Sequence, residues 1–173
     1  MVSKRIDILK ALTEHLEAIV VDPDGEAESL TGKVFRGRTV FGDEVAPPFL
    51  VILEAPRQLL SLQGGDEKTT RKDDWRLLIQ GFAQDDSINP LDPAYELLAY
   101  VEQRMARLLA EKGNGGGPLY PLEFRLGKRV HSILFTNPIV HPPDNDVSDT
   151  AYFYMPVTIQ VATDMEAPFT EET

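Results

Sequence analysis

The sequence predicts an α+β domain, built as a mostly antiparallel four- to five-stranded sheet with two α-helices packed on one face and long loop arms. Two stretches show the 3.6-residue apolar period of helices, and five others show the alternation or short apolar runs of strands. Their order along the chain is α, β, β, β, α, β, β. Since 173 residues with 42% hydrophobic content can enclose one core but hardly two, we interpret 1–173 as a single domain with a flexible tail at 163–173.

The first helix is predicted from its apolar stripe and its two ends. Ser3 suits the N-cap position, and the Asp-Pro-Asp-Gly sequence at 22–25 opposes continuation of a helix. An acidic loop at 22–28 then leads to a short strand near 33–36. The stripe has spacings of three and four residues and consists of Ile6, Leu9, Leu12, Leu16 and Ile19.

The middle of the chain predicts two strands separated by a long polar arm. Five consecutive apolar residues within 49–54 fit a strand buried on both faces. Residues 59–73 are too polar to pack and too long for a tight hairpin, so we expect a mobile arm. After the arm, Trp75, Leu77 and Ile79 alternate with polar and apolar neighbours, which predicts a strand that ends near residue 84.

The second helix is the most strongly patterned segment. Asp92 suits its N-cap, Pro93 suits its first helical position, and the glycines from Gly113 end it after Lys112. Strands are expected at 129–136 and in a run that contains Pro156, which implies an edge position or a bulge. A second long loop, at 137–150, separates them. The apolar face of the helix consists of Ala94, Leu97, Leu98, Val101, Met105, Leu108 and Leu109.

Few residues could support catalysis or bind a cofactor. The chain has no cysteine, which excludes disulfides, thiolate zinc sites and cysteine nucleophiles. Its three histidines, His15, His131 and His141, match no metal-ligand spacing, and hydrogen-bonding or solvated roles suit them better. The acidic turn at 22–25 lacks the glycine position of a calcium loop, and the glycine run at 113–117 follows a helix, whereas a phosphate-binding loop precedes one. We therefore expect no enzyme, no cofactor and no metal.

Charge is distributed unevenly along the chain. The formal charge of −11 argues against a nucleic-acid-binding footprint. Residues 141–173 contain seven acidic residues and no Lys or Arg, whereas Lys33, Arg36 and Arg38 form a local basic cluster. Because no signal peptide and no membrane-spanning run is visible, we expect a soluble cytoplasmic protein.

Several local motifs and the order of the elements resemble a known family. The motifs are Gly-Lys-Val-Phe-Arg-Gly-Arg at 32–38, Pro-Pro at 47–48, a strand that ends Ile-Leu-Glu-Ala-Pro at 52–56, and Trp75 opening the next strand. Together with the long helix after Asp92, they resemble the tail-terminator (tail-completion) proteins of long-tailed bacteriophages. The likeness in element order covers residues 3–162.

The resemblance implies a structural role in the virion. In such a role six copies close into a ring on the last ring of tail-tube protein, stop further polymerisation and present the surface that joins the head-side neck proteins. Implied partners are other copies of the chain, the tail-tube protein and the head-completion proteins, with DNA only as passing cargo and no membrane. The protein would reside in the host cytoplasm during assembly and afterwards in the tail or neck of the virion.

The resemblance and the charge pattern indicate three candidate assembly segments. The basic cluster could pair with an acidic surface of a neighbouring subunit, such as its 22–28 loop, or could simply be solvated. The two arms could become ordered on contact with the tube or a neighbour. The candidate residues are Lys33, Arg36 and Arg38 in the basic cluster, Gly64, Gly65, Lys68, Arg71 and Lys72 in the first arm, and His141, Asp144 and Asp146 in the second.

Other functions remain open from the sequence alone. A head-completion or neck connector protein would also form a ring between portal and tail. Outside the virion, the same composition fits a small α+β binding module or a hydrolase with an unrecognised site.

Overall fold

The α+β fold predicted from the sequence is confirmed in the computed structural model, which describes residues 1–22, 25–55 and 68–170. In this part of the chain, the helices are α1 (Lys4–Glu17), α2 (Asp92–Ala106) and the single turn α3 (Arg125–Lys128). None of them is long and apolar enough to cross a bilayer. The strands are β1 (Val20–Val21), β2 (Glu28–Ser29), β3 (Val34–Arg36), β4 (Phe49–Glu54), β5 (Thr70–Phe82), β6 (Ser132–Phe135), β7 (Ile139–His141) and β8 (Tyr152–Asp164).

Six of the described strands form one mixed sheet. The order is β3-β4-β5-β8-β6, and β7 pairs with β8 beyond the end of β6. β3 runs parallel to β4, and every other neighbouring pair in this sheet is antiparallel. The sheet therefore has more strands than predicted. The additional strand of this sheet is β7, which lies in the predicted 137–150 loop, and β1 and β2 pair with each other in a separate two-stranded sheet.

The long β5–β8 pair forms the centre of the sheet. Its register runs without a break from Thr70 opposite Asp164 to Phe82 opposite Tyr152. Two expectations need correction here. Residues 70–73 are strand and not part of a mobile arm, and residues 163–164 are strand and not part of a tail. These two polar segments are ordered as strands because they pair with each other at the end of the β5–β8 ladder.

The predicted edge position of Pro156 is wrong, because β8 has strands on both sides. Thr136 N–H donates to Pro156 O at 3.2 Å, so the backbone polar groups of Pro156 face the β6–β7 side. Pro156 has no N–H to donate, and it lies on β8 between the residues that pair with β6 and those that pair with β7. A proline is tolerated in a central strand here because the neighbouring pairing is interrupted at that point.

Helices α1 and α2 cover one face of the sheet. The predicted inward row of β5, Trp75, Leu77 and Ile79, is confirmed, since each side chain is at most 1% exposed. The stripe predicted for α1 is partly wrong, because Ile6 is 47% exposed. Ser3 caps α1 as expected, accepting a hydrogen bond from Ile6 N at 3.3 Å. The buried α1 residues are Ile8, Leu12, His15 and Leu16.

Helix α2 differs from its prediction at both ends. Leu91 occupies the N-cap without a side-chain hydrogen bond, and Asp92 is the first helical residue. The helix ends at Ala106, before the glycines. Leu108 O accepts a hydrogen bond from Arg125 N at 2.9 Å, so a turn replaces the last predicted helical turns and carries Leu108 into the core. The five predicted core residues that fall within the helix, Ala94, Leu97, Leu98, Val101 and Met105, are confirmed as buried.

Gly81 is required where the centre of the sheet meets the helix-side core. It lies opposite Phe153, which is fully buried. A Cβ added at Gly81 would lie 2.1 Å from Cε1 of the Phe153 ring, a distance that no real contact tolerates. The glycine therefore makes room for the ring, since its φ does not require a glycine.

We expect Gly81→Ala to lower the free energy of unfolding by about 1–3 kcal/mol, because the Phe153 ring must leave its packed position. Urea denaturation monitored by the fluorescence of Trp75 measures the change. Gly113→Ala is the matched control, since a Cβ there meets no atom within 4 Å, and its effect should stay within about 0.5 kcal/mol. Equal stability of the two variants would contradict this account of Gly81.

Candidate assembly surface

The face of the sheet opposite α1 and α2, here called the outer face, carries a row of stacked aromatic rings. Phe49 and Phe82 stack with ring centroids 4.7 Å apart. Phe41, in the loop between β3 and β4, has its ring centroid 4.6 Å from that of Phe49. Phe82 continues the row to Tyr152 at 6.1 Å. Burial of large rings on this face gives the sheet a second core, separate from the helix-side one. The aromatic cluster consists of Phe35, Phe41, Phe49, Phe82, Tyr152 and Tyr154.

Arg38 holds the loop at 37–48 against one end of the aromatic cluster. Its guanidinium lies 5.1 Å from the centroid of Phe35 and 4.8 Å from that of Phe41. It also bonds to Glu44 Oε1 at 2.5 Å and donates from Nε to Val40 O at 3.0 Å. Arg38 was predicted as an assembly cation, and the structure gives it intramolecular partners.

His141 and Asp144 lie at the other end of the aromatic cluster. The His141 ring stacks on Tyr152 with centroids 5.0 Å apart, and the Tyr152 hydroxyl donates to Asp144 Oδ2 at 2.6 Å. The pKa of Asp144 is lowered by this hydroxyl and by the Val147 amide, which donates to Oδ1 at 2.6 Å. Burial and the neighbouring carboxylate raise the pKa of Tyr152. Asp146 contributes its backbone amide to Asp144, while its side chain is exposed.

The predicted basic cluster does not form one surface. Lys33 pairs with Glu28 of its own chain, although the 22–28 loop of a neighbour was the suggested partner. Arg36 stands opposite Ile52, which faces the helices, whereas Arg38 lies on the outer face. Among the described residues Arg36 has no ion-pair partner, and its side chain is exposed.

The first-arm candidates divide between strand and surface. Arg71 Nε lies 2.9 Å from Asp73 Oδ1, and Asp73 also accepts from Arg5 at 2.9 Å, so Arg71 belongs to an intramolecular network. Lys68 and Lys72 are exposed. Gly64 and Gly65 lie outside the described residues.

The two edges of the sheet differ in chemistry. The β6–β7 edge, formed by strands β6 and β7, exposes Leu134 by 63%, Phe135 by 37% and Ile139 by 56%. The other edge is the three-residue strand β3, with Arg36 at its end. A continuous register row crosses the sheet from Phe35 to Ile139 through β4, β5 and β8, which places the edges about 19 Å apart at the usual strand spacing.

A partly buried polar network around the buried His15, missed from the sequence, joins α1 to α2 and to the segment before α3. His15 Nε2 donates to Arg104 O at 2.8 Å, and Arg104 Nε donates to His15 O at 2.8 Å. Glu123 accepts from Arg107 Nε at 2.9 Å and lies 3.4 Å from His15 Nδ1. The expected hydrogen-bonding role of His15 is confirmed. Its partners are distant in sequence, so no local pattern indicates them.

The backbone beside this network is strained. Four consecutive residues of α3 have φ between 51° and 66°, so the turn is left-handed. Such φ values disfavour non-glycine residues, and only Gly127 adopts them without cost. The turn lies directly before the predicted 129–136 strand, and β6 begins later than predicted, at Ser132. Glu123, just before this turn, bonds to Arg107, so the hydrogen bonds of the network offset the free-energy cost of the left-handed backbone.

A groove of about 450 Å³ lies beside the network, between the 18–20 segment that follows α1, the C-terminal half of α2 and the 107–120 segment. Arg104 and Arg107 line it, but both already contact Glu123. In the described part of the chain, no group of three His, Asp or Glu side chains could hold a metal ion.

Comparison of the chain with protein-family models finds no match, and comparison with curated proteins finds none either.

We expect the free energy of unfolding to fall as the pH is lowered from about 6.5 to about 4. Burial lowers the pKa of His15 to about 4, so the unfolded chain binds a proton in this range that the folded chain does not. The difference corresponds to a loss of about 3 kcal/mol below both pKa values. Urea denaturation across this pH range measures it.

His15→Gln keeps an N–H donor for Arg104 O but cannot titrate, so its stability should vary much less between pH 6.5 and 5. The pKa of Glu123 is lowered by its bonds to Arg107, so loss of that carboxylate's contribution belongs to lower pH. His131→Gln, at an exposed histidine, should retain the wild-type slope. A wild-type slope in His15→Gln would refute the assignment.

Proposed function

We propose that the protein is a virion structural protein of a long-tailed bacteriophage, a tail terminator whose copies form a ring that caps the tail tube, with six copies as in the family that its sequence resembles. The ring stops tube polymerisation and presents the surface that the head-side neck proteins join. The observation that carries the proposal is the apolar β6–β7 edge. The sequence resemblance over 3–162 indicates which kind of assembly this edge would serve.

An exposed strand edge with large apolar side chains is a pairing surface. Leu134 and Ile139 both lie on the outer face of the edge strands, and each is more than half exposed. Soluble monomers usually protect such edges, because unpaired backbone groups recruit other chains. A closed ring protects the edge of every subunit, so the edge suits a protein that works as an assembly.

A ring requires two unlike surfaces on each subunit, since its interfaces are heterologous. The sheet supplies two such sides. One side has the short β3 strand with the unpaired Arg36, and the other has the apolar edge followed by exposed Asp146 and Asp149. Neither acidic side chain has an ion-pair partner among the described residues. This asymmetry supports a ring more than a two-fold dimer.

The titratable groups with shifted pKa values serve the fold. His15 and Glu123 bond to the two arginines of α2, and Asp144 bonds to Tyr152. Each is tied to protein groups and not aimed into an open cleft, which favours a structural role over a hydrolase. The net charge of −11 would also repel DNA phosphates, as suits a protein through which DNA passes as cargo.

Electron microscopy of particles assembled without this gene product tests the proposal. We expect overlong tails without attached heads, because nothing stops addition of tube rings, and normal tails when the wild-type protein is supplied. Tails of normal length without heads would favour the head-completion role. Normal infectious particles would rule out both virion roles.

A further inference from the structure

We propose that neighbouring copies join by strand pairing, with β6 of one copy adding to β3 of the next so that the sheet continues across the interface. This inference rests on the proposed ring, and it names the surfaces that the ring would use. It follows from strand direction, from the orientation of the backbone groups and from the faces that the side chains occupy.

Strand direction fits this pairing. β3 runs with β4, β5 runs against β4, β8 runs against β5, and β6 runs against β8. β6 is therefore antiparallel to β3 of the same chain. A neighbour placed beside the sheet in the same orientation offers its β3 antiparallel to β6, which is the arrangement with perpendicular inter-strand hydrogen bonds.

The free backbone groups match in number. Leu50 N donates to Lys33 O and Gly37 N donates to Ile52 O, both at 2.9 Å, so the alternation leaves the peptide groups of Val34 and Arg36 facing away from β4. On β6, Thr136 N donates to Pro156 O, so the groups of Ile133 and Phe135 face away from β8 by the same alternation. Each edge thus offers two residues for pairing.

The side chains then fall on consistent faces. Val34 and Ile133 belong to the helix-side core, and both have outward-facing backbone groups. Pairing Arg36 with Ile133 and Val34 with Phe135 gives hydrogen-bond partners to the outward-facing N–H and C=O groups of all four residues. The same register sets Phe35 opposite Leu134 on the outer face, so the exposed Leu134 would extend the aromatic cluster of the neighbour.

The prolines around β7 explain why β6, and not β7, is proposed to pair with the neighbouring copy. The residue of β7 whose backbone faces away from β8 is Val140, since the alternation set by Pro156 O also turns the groups of Ile139 and His141 toward β8. Pro138 and Pro142 flank it and have no N–H to donate. Prolines at a sheet edge oppose pairing, so β7 is protected and β6 is left available.

Charge favours unlike edges over like ones. Two copies joined through β3 would bring two unpaired Arg36 side chains together at adjacent positions, which is destabilising. Pairing of β3 with β6 instead sets each Arg36 opposite the apolar Ile133, which keeps the cations of neighbouring copies apart. The occupant of the edge is therefore a second copy in the same orientation.

Disulfide trapping tests the pairing. Because the sequence contains no cysteine, only the introduced cysteines can cross-link. Phe35→Cys and Leu134→Cys are purified separately and mixed under mild oxidation. In a non-hydrogen-bonded antiparallel pair, the Cα atoms lie about 4.5 Å apart, within disulfide range. We expect a disulfide-linked dimer in the mixture and none from either variant alone. Leu122→Cys mixed with Leu134→Cys is the control, since Leu122 is 92% exposed but lies off both edges.

A second pair avoids disturbing the aromatic cluster. Lys33→Cys and Thr136→Cys occupy another non-hydrogen-bonded position of the same register, and both side chains are polar. Their mixture should cross-link equally well.

Two outcomes would overturn the pairing. Cross-linking of either variant with itself would indicate a two-fold dimer, and folded variants of both pairs that give no mixed disulfide would show that these edges do not meet. The function is tested separately by particle morphology. Overlong tails together with failed cross-linking would refute the strand pairing alone, and normal tails together with successful cross-linking would refute the tail-terminator role alone.

Discussion

The antiparallel pairing of β5 with β8 is the constraint on which the remaining structure depends. Both strands are thirteen residues long, and they pair along their full length. Their inward side chains form the floor of the helix-side core, and their outward side chains at one end join the aromatic cluster. Every other strand of the main sheet attaches to one side or the other of this pair, so the pair determines where the two edges lie.

The two edges and the outer face follow from that arrangement. Arg38 and Asp144 hold loops against opposite ends of the aromatic cluster, and the bonds between His15 and Arg104 join α1 to α2 on the other face. The backbone groups inside the sheet pair with neighbouring strands, whereas the strand edges still offer unpaired backbone groups. We therefore propose that this protein assembles through the edges of its sheet.

The sequence predicts those parts of the fold that depend on local pattern. The alternation from Trp75 to Ile79 and the apolar face of α2 lie where they were expected, because period and burial are properties of one segment. The central position of Pro156 could not be predicted, since it depends on a gap between two strands from another part of the chain. His15 and Glu123 likewise meet only through tertiary packing. Among the assembly candidates, Arg36 has the exposure expected of it, whereas Arg38 and Asp144 have intramolecular partners that require the folded sheet.

Amide hydrogen exchange at low and high protein concentration tests the claim most directly. The β5 and β8 amides that face each other should exchange slowest at both concentrations, since only global unfolding exposes them. The outward amides of Arg36 and Phe135 should exchange fast in dilute solution and become protected as copies associate. Concentration-independent exchange at both amides, or new protection confined to the outer face or the helices, would contradict assembly through the sheet edges.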